Sequence, residues 1–187
     1  MAALAGLCGH AFVALTDEGM KMLYYDTFNS PHGGMLLVAS DEGLAGVYFD
    51  RQKHHPRLAN EWRQNPRHKV LRQARRELEE YFAGKRKRFE VALDPVGTPF
   101  QRSVWKAIST VGFGKTLSYG ELARRAGFPG SARAAGAATG RNPIGIIVPC
   151  HRIMGSDGSL TGYAGGLERK RALLALEGVL TAELLAG

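Results

Sequence analysis

The sequence predicts an α+β protein: a small N-terminal α/β domain, then a mainly helical C-terminal domain carrying a helix-turn-helix. Three observations predict this. Short β-prone apolar runs are confined to the first half, helical spacing of apolar residues sets in at Lys69, and caps and glycine turns crowd together after Asp94. The expected domains are residues 1–94 and 98–187, with the break at Asp94-Pro95-Val96-Gly97.

Lys21 to Phe28, Met35 to Ser40 and Leu44 to Phe49 read as strands. Pro31-His32-Gly33-Gly34 and Asp41-Glu42-Gly43 between them have turn chemistry. From Lys69 to Phe82, Val70, Leu71, Ala74, Leu78, Tyr81 and Phe82 recur at helical spacing, and Gly84 closes that helix. Phe89 to Leu93 reads as a further strand. Thr98-Pro99 opens the next helix with a cap and then a proline in the first turn. Its buried face is Phe100, Val104, Trp105 and Ile108, and Gly112 and Gly114 end it. Ser118 caps a short helix through Ala126, with Glu121 completing a capping box. After the tight turn Gly127-Phe128-Pro129-Gly130, Ser131 caps a third helix to about Thr139. Two short helices around a glycine-bearing turn suggest a helix-turn-helix. The third helix consists of Ala132, Ala134, Ala135, Gly136, Ala137 and Ala138 with one long side chain, Arg133. Two readings stand level: a thin helix packed closely on the core, or one slim enough to approach a narrow groove.

Composition narrows the function classes. A chain of 187 residues, 44% hydrophobic and 22% charged, is not disordered. Its net charge of +8 favours a polyanionic partner. That charge is uneven: residues 1–94 hold 14 Lys+Arg against 12 Asp+Glu, and residues 95–187 hold 11 against 5. A DNA footprint would therefore lie on the second half. The two cysteines, Cys8 and Cys150, make neither a disulfide framework nor a CxxC zinc pair. Met1 to Val13 is too short and polar for a membrane span and has no basic leader, so a reducing cytoplasm is the expected address.

The chemistry-bearing stretch is Ile144 to Arg152, a branched apolar run ending in Pro149-Cys150-His151-Arg152. A thiolate, not a thiol, is the nucleophile, so a reactive cysteine needs a neighbour to take its proton. His151 could do so directly or through one water, with a carboxylate holding its tautomer. For an isolated Cys-His pair, a buried structural cysteine would be the better reading.

The surrounding residues alter that balance. Thr98-Pro99-Phe100-Gln101, Val104-Trp105, Ser118-Tyr119, the Ala-rich helix with Arg133, Asn142-Pro143, Ile147-Val148-Pro149-Cys150-His151-Arg152, Gly162-Tyr163-Ala164-Gly165-Gly166-Leu167, Leu173-Leu174 and Glu177-Gly178 form one long spaced pattern. Over residues 98–178 the sequence resembles the O6-alkylguanine-DNA alkyltransferases, also called methylated-DNA–protein-cysteine methyltransferases. The first half resembles the family's variable N-terminal domain only loosely, and the resemblance implies a ribonuclease H-like fold for it.

The resemblance implies that a damaged guanine in duplex DNA is flipped into a pocket and that Cys150 takes its O6-alkyl group irreversibly, once per molecule. O4-alkylthymine would be a second substrate. His151 would act as base through a water, oriented by Glu177, and Tyr119 would donate to the leaving base. The carbonyls of Cys150 and Ile153 would accept from the exocyclic amine and the Ala164 N–H would meet O6. Tyr163 would wall the pocket, which Val148 helps to line. Arg133 would fill the vacated space from a helix in the minor groove, with Ser131 and Ala134 also on the DNA side. Asn142 would fasten the turn before the active-site strand. No cofactor is implied, and the partner is double-stranded DNA bearing O6-alkylguanine, met by a monomer, with cooperative loading left open.

Some relatives carry a structural zinc. Here Cys8 is the only cysteine of the first half, and His10, His32, His54, His55 and His68 lack ligand spacing, so no metal is expected. Gly112-Phe113-Gly114-Lys115-Thr116 fails as a phosphate loop, because Ser109 stands where a glycine is required. Lys85-Arg86-Lys87-Arg88 reads as a solvated turn. Two rival functions remain: a DNA-binding sensor of alkylated bases, which would lack the reactive cysteine, and a cysteine hydrolase, which would need an oxyanion hole.

Overall fold

The computed structural model describes residues 15–16 and 19–180. The readings placed on Cys8, His10 and the Met1–Val13 segment lie outside the described residues. Two short strands, β1 (Leu15–Thr16) and β2 (Gly19–Met20), pair antiparallel. The main sheet holds β3 (Tyr24–Ser30), β4 (Gly33–Ala39), β5 (Leu44–Phe49) and β6 (Arg63–Gln64) in the order β5-β4-β3-β6. The first three strands are antiparallel, and β6 lies parallel to β3. The β3–β4 turn is tighter than its residues suggest. Only Pro31 and His32 form it, and Gly33, at φ 112, already pairs with Ser30. From Met35 to Ala39 every residue of β4 is buried, as a strand covered on both faces must be.

Helix α1 (Lys69–Phe82) buries Val70, Leu71, Ala74, Glu77, Leu78 and Tyr81, the spacing of one helical face. Gly84 stops it at φ 71. The N–H of Lys85 reaches the Glu80 carbonyl at 2.9 Å, and that of Gly84 the Tyr81 carbonyl at 2.9 Å. The strand expected over Phe89 to Leu93 does not form. The buried Glu77 carboxylate takes the N–H groups of Glu90 (2.8 Å) and Val91 (3.3 Å), leaving a single bridge from Leu93 to Leu44.

The second half holds α2 (Pro99–Ser109), β7 (Leu117–Ser118), α3 (Tyr119–Arg125), α4 (Ala132–Gly140), a 3₁₀ turn at Cys150–Arg152, β8 (Ile153–Met154) and α5 (Leu167–Leu176). Thr98 and Gln101 close a reciprocal capping box on α2. The box expected on α3 is half made. Ser118 Oγ accepts the Glu121 N–H at 3.2 Å, while the Glu121 carboxylate lies 3.9 Å from Arg125. Ser131 sits at the N-cap of α4 without a side-chain capping bond.

One continuous core joins the halves, with Leu37, Leu44 and Tyr81 from the first and Ile108, Leu122 and Ile153 from the second. Two backbone ties then place the chemistry. Parallel pairing of β7 with β8 sets the start of α3 beside the Cys150 segment, and a bridge from Val47 to Ile144 fixes the loop before it to the main sheet. Among the described residues no helix is long and apolar enough to cross a membrane.

Candidate active site

The branched run before Cys150 folds as a turn tied to the main sheet by one bridge. Val47 donates to the Pro143 carbonyl (2.8 Å) and accepts from the Gly145 N–H (3.1 Å). Ile146 is forced to φ 69, which costs a β-branched residue about 1–3 kcal/mol. The Asn142 side chain holds this turn shut. Its Oδ1 accepts from the Ile144 N–H (3.0 Å), and its Nδ2 donates to the Val148 carbonyl (2.8 Å) and to Cys150 Sγ (3.1 Å). Asn142 thus acts on the sulfur as well as on the backbone.

Cys150 is 6% exposed. Burial pushes its thiol up, against the opposing pull of Asn142 and Lys170, so the resting sulfur is protonated and a base must take its proton. His151 is fully buried next to it in sequence. Burial pushes the imidazole down and Glu177 pulls it back up; the net effect favours the neutral ring. Nε2 lies 2.8 Å from Glu177 Oε1, whereas Nδ1 is buried with no hydrogen-bond partner among the described residues. Neutral histidine facing a carboxylate carries its proton on Nε2, leaving the Nδ1 lone pair free to accept.

Glu177 caps α5, its side chain wholly buried among donors. Arg152 grips both oxygens, Nε to Oε2 and Nη2 to Oε1, each at 2.9 Å. The Gly114 N–H reaches Oε2 at 3.1 Å, and Tyr81 Oη donates to Oε1 at 2.7 Å. Burial alone would raise this carboxyl; the bonds from His151 and Arg152 hold it down at about 2. Arg152 also donates to the Val111 carbonyl, so no charge in the cluster stands alone.

On the other side of the sulfur, Lys170 is completely buried, its ammonium on the carbonyls of Ile153 (2.5 Å) and Thr161 (2.7 Å). Burial lowers it to about 8. It ties the start of β8 to the loop carrying Tyr163 and Ala164, both half-buried. The Ala164 carbonyl accepts from the Lys53 N–H at 3.0 Å. A Cβ on Gly165 would lie 2.7 Å from the Tyr163 ring, so only glycine lets that ring pack there. Val148 is 2% exposed, with its carbonyl held by Asn142.

Tyr119 opens α3, half-buried and packed against the core. A Cβ on Gly136 of α4 would meet its ring at 3.4 Å, so the small residues of α4 admit this approach. That thin helix has two unlike faces, and the close packing on the core is seen on one of them. Ala135, Ala138 and Thr139 are buried, with Trp105 Nε1 on the Ala138 carbonyl at 2.9 Å, while Arg133 and Ala134 are exposed and Ser131 partly so. Arg102, Arg124, Arg125 and Arg141 are also exposed, which keeps the basic excess on this half outward. The site residues therefore fall into two groups: Cys150, His151, Asn142, Glu177, Ile153 and Val148 inside, and Arg133, Ala134 and Ser131 outside. Tyr119, Tyr163 and Ala164 stand between.

Three participants were not assigned roles by sequence reasoning: Arg152 as the partner of Glu177, Lys170, and Tyr81. Lys170 had a signal, since residues 170, 173, 174 and 177 share one helical face and a lysine on an apolar stripe needs an acceptor. Tyr81 had none, because its spacing is that of any core residue. Lys85, Lys87 and Arg88 are exposed, as a solvated turn requires, while Arg86 is partly buried and paired to Glu80 (2.7 Å), and Lys87 lies over the Phe113 ring (5.5 Å). Among the described residues no three His, Cys, Asp or Glu side chains gather as a metal site.

Comparison with known proteins places this arrangement. A family described as 6-O-methylguanine DNA methyltransferase, DNA binding domain, matches residues 99–179; its ribonuclease-like domain matches 23–95. The methylated-DNA–protein-cysteine methyltransferase of Methanosarcina acetivorans is 49% identical over 156 residues, 83% of this chain and 99% of that one. That of Mycolicibacterium paratuberculosis is 47% identical, covering 83% and 93%. The crystal structure of Mycobacterium tuberculosis OGT in complex with DNA is similar at a TM-score of 0.77 and 45% identity, covering 86% of this chain and 97% of that one. Matched in both halves and aligned with relatives almost end to end, the chain belongs to the 6-O-methylguanine DNA methyltransferase (methylated-DNA–protein-cysteine methyltransferase) family.

Proposed function

We propose that this protein repairs duplex DNA by moving the alkyl group of O6-alkylguanine onto Cys150, irreversibly and once per molecule. The observation that carries the reading is the asymmetry of His151: one ring nitrogen anchored on Glu177, the other buried, unpartnered and free to take a proton. The lesion base turns out of the helix into the space bordered by Tyr119, Tyr163 and Ala164, because an atom inside the stack is out of reach of a buried sulfur. The thiol proton passes through a water to His151 Nδ1. Sγ then attacks the alkyl carbon, the carbon–O6 bond breaks, and its electrons return to the base. Tyr119 donates to the departing guanine, the Ala164 N–H meets O6, and the carbonyls of Cys150 and Ile153 accept from the exocyclic amine. The product is a thioether, which no group in the site can cleave. O4-alkylthymine presents the same carbon–oxygen bond and is the second substrate.

Exposed Arg133, with Ser131 and Ala134 beside it on α4, forms the DNA side of a helix-turn-helix made by α3 and α4, and Arg133 occupies the space left by the base. A protein similar to this one has been crystallised with DNA, which supports DNA as partner. We further propose domains of residues 1–94 and 98–187, a monomer in solution, and a reducing cytoplasm, where a lone nucleophilic thiol stays reduced.

The test is mass spectrometry after incubation with an O6-methylguanine duplex. Repair adds one methyl group, confined to the Cys150 peptide, and Cys150→Ala adds none while still binding duplex. A methylated Cys150→Ala protein would mean the nucleophile is elsewhere; turnover without a lasting adduct would mean hydrolysis.

A further inference from the structure

The Cys150–His151–Glu177 assignment above, on which this inference rests, gives no role to the Tyr81 hydroxyl on Glu177. We propose that Tyr81, contributed by the N-terminal half, is a positioning residue for alkyl transfer: its hydroxyl holds and tunes the carboxylate that orients His151. The two residues stand 96 positions apart in sequence, yet Oη lies 2.7 Å from Oε1. Tyr81 occupies the last turn of α1, locked by the Gly84 stop, with its ring against Phe82 (centroids 5.6 Å), Phe89 (5.5 Å) and Phe113 (6.2 Å). The hydroxyl is therefore aimed, not free to search.

The oxygen it meets matters. Oε1 is the same atom that receives His151 Nε2, and Arg152 Nη2 also reaches it. How firmly His151 holds a proton depends on the negative charge Oε1 presents, and each further donor disperses that charge. The other ionisable groups around this centre are Arg152 on the 3₁₀ turn, Lys170 on α5, Cys150 itself and Tyr163 on the pocket loop. Arg152 and Lys170 both lower His151's hold on its proton. Tyr81 is an uncharged donor on Oε1, and among the described residues it alone ties the reaction centre's carboxylate to the N-terminal half by a hydrogen bond. A phenylalanine would satisfy the three ring contacts equally well. Placing a hydroxyl in a fully buried position is costly unless its acceptor needs it.

The experiment uses full-length Tyr81→Phe, with single-turnover rates measured across pH on an O6-methylguanine duplex and on free O6-benzylguanine. Loss of a hydrogen bond to a charged group predicts a rate about tenfold lower, equally on both substrates. The rising limb of the pH–rate profile moves to higher pH, because a carboxylate with one fewer donor strengthens His151's hold on its proton. Affinity for undamaged duplex stays at the wild-type value. A more acidic phenol, 3-fluorotyrosine in place of Tyr81, keeps the ring volume and moves the limb to lower pH; it decides the matter if Tyr81→Phe does not fold. A wild-type rate and limb in Tyr81→Phe, or an unmoved limb with 3-fluorotyrosine, overturns the proposal. Cys150→Ala in the same assay separates the two failures. If transfer needs Cys150 while the Tyr81 variants are silent, only this proposal falls; if transfer survives Cys150→Ala, the site reading falls with it.

Discussion

The interior around Glu177 and the outer face of α4 are built from opposite materials. Inside, a buried carboxylate accepts from Tyr81, His151, Arg152 and the Gly114 N–H, so both of its oxygens are occupied. Outside, α4 is nearly all alanine and glycine, and Arg133 is exposed, with no ion pair among the described residues. The interior must be fixed before substrate arrives, because a buried charge without partners is unstable. The outer helix can stay bare if, as proposed, its partner is a large polyanion that supplies what the helix lacks. Stability and chemistry should therefore be coupled in the first region and separable in the second.

The strongest way to break that contrast is Glu177→Ala. It strands the Arg152 guanidinium in the core, and stranding one partner of a buried pair costs about 3–5 kcal/mol. Urea denaturation should show that loss together with loss of transfer; a cost below about 1 kcal/mol would mean the cluster does not hold α5 to the core. The same carboxylate sets an acid response. Its pKa is about 2 in the folded protein against 4.5 ordinarily, so the folded state gives up stability only when Glu177 must take a proton. That contribution is complete above about pH 4.5 and drains away as pH falls toward 2. Glu177→Gln should flatten the denaturation midpoint over that window relative to wild type. Parallel curves would show that other carboxylates govern acid unfolding.

Asn142→Ala comes next in size. It leaves the Ile144 N–H unpaired and the Val148 carbonyl with the Cys150 N–H alone, in a buried turn whose Ile146 is already strained, a cost of about 1–3 kcal/mol. It also removes the donor on Cys150 Sγ, so a slower transfer should accompany the lost stability. A stable variant with a wild-type rate would reduce Asn142 to an ordinary turn residue.

The contrast also explains what the sequence reveals. The start of α2 was legible to the residue because capping is local, with Thr98 and Pro99 acting within one turn, whereas its end falls at Ser109, short of the glycines expected to close it. The Phe89–Leu93 strand was misread for the converse reason, since the groups that satisfy it sit on Glu77, a helix away. Cys150, His151 and Asn142 were legible through a long spaced motif. Their geometry was not, because the turn at Ile146 and the bridge to Val47 depend on pairing between the halves. Tyr81 marks the limit. A core tyrosine and a tyrosine holding a reaction centre have the same spacing, and only the fold tells which acceptor the hydroxyl finds.

The smallest effect on stability, and the sharpest on substrate choice, belongs to Arg133→Ala. The side chain is exposed, and its truncation leaves the helix-forming alanines intact, so unfolding should change by no more than about 0.5 kcal/mol. A free O6-benzylguanine base needs no extrusion from a stack, and its reaction should run at the wild-type rate. A duplex lesion must be unstacked and its vacancy filled, at a cost of a few kcal/mol that Arg133 would offset, so duplex repair should fall steeply in the same protein. Loss on one substrate without the other is the signature of a residue that works on DNA and not on chemistry. Equal losses on both would tie α4 to the interior after all, and the two regions would no longer be separable.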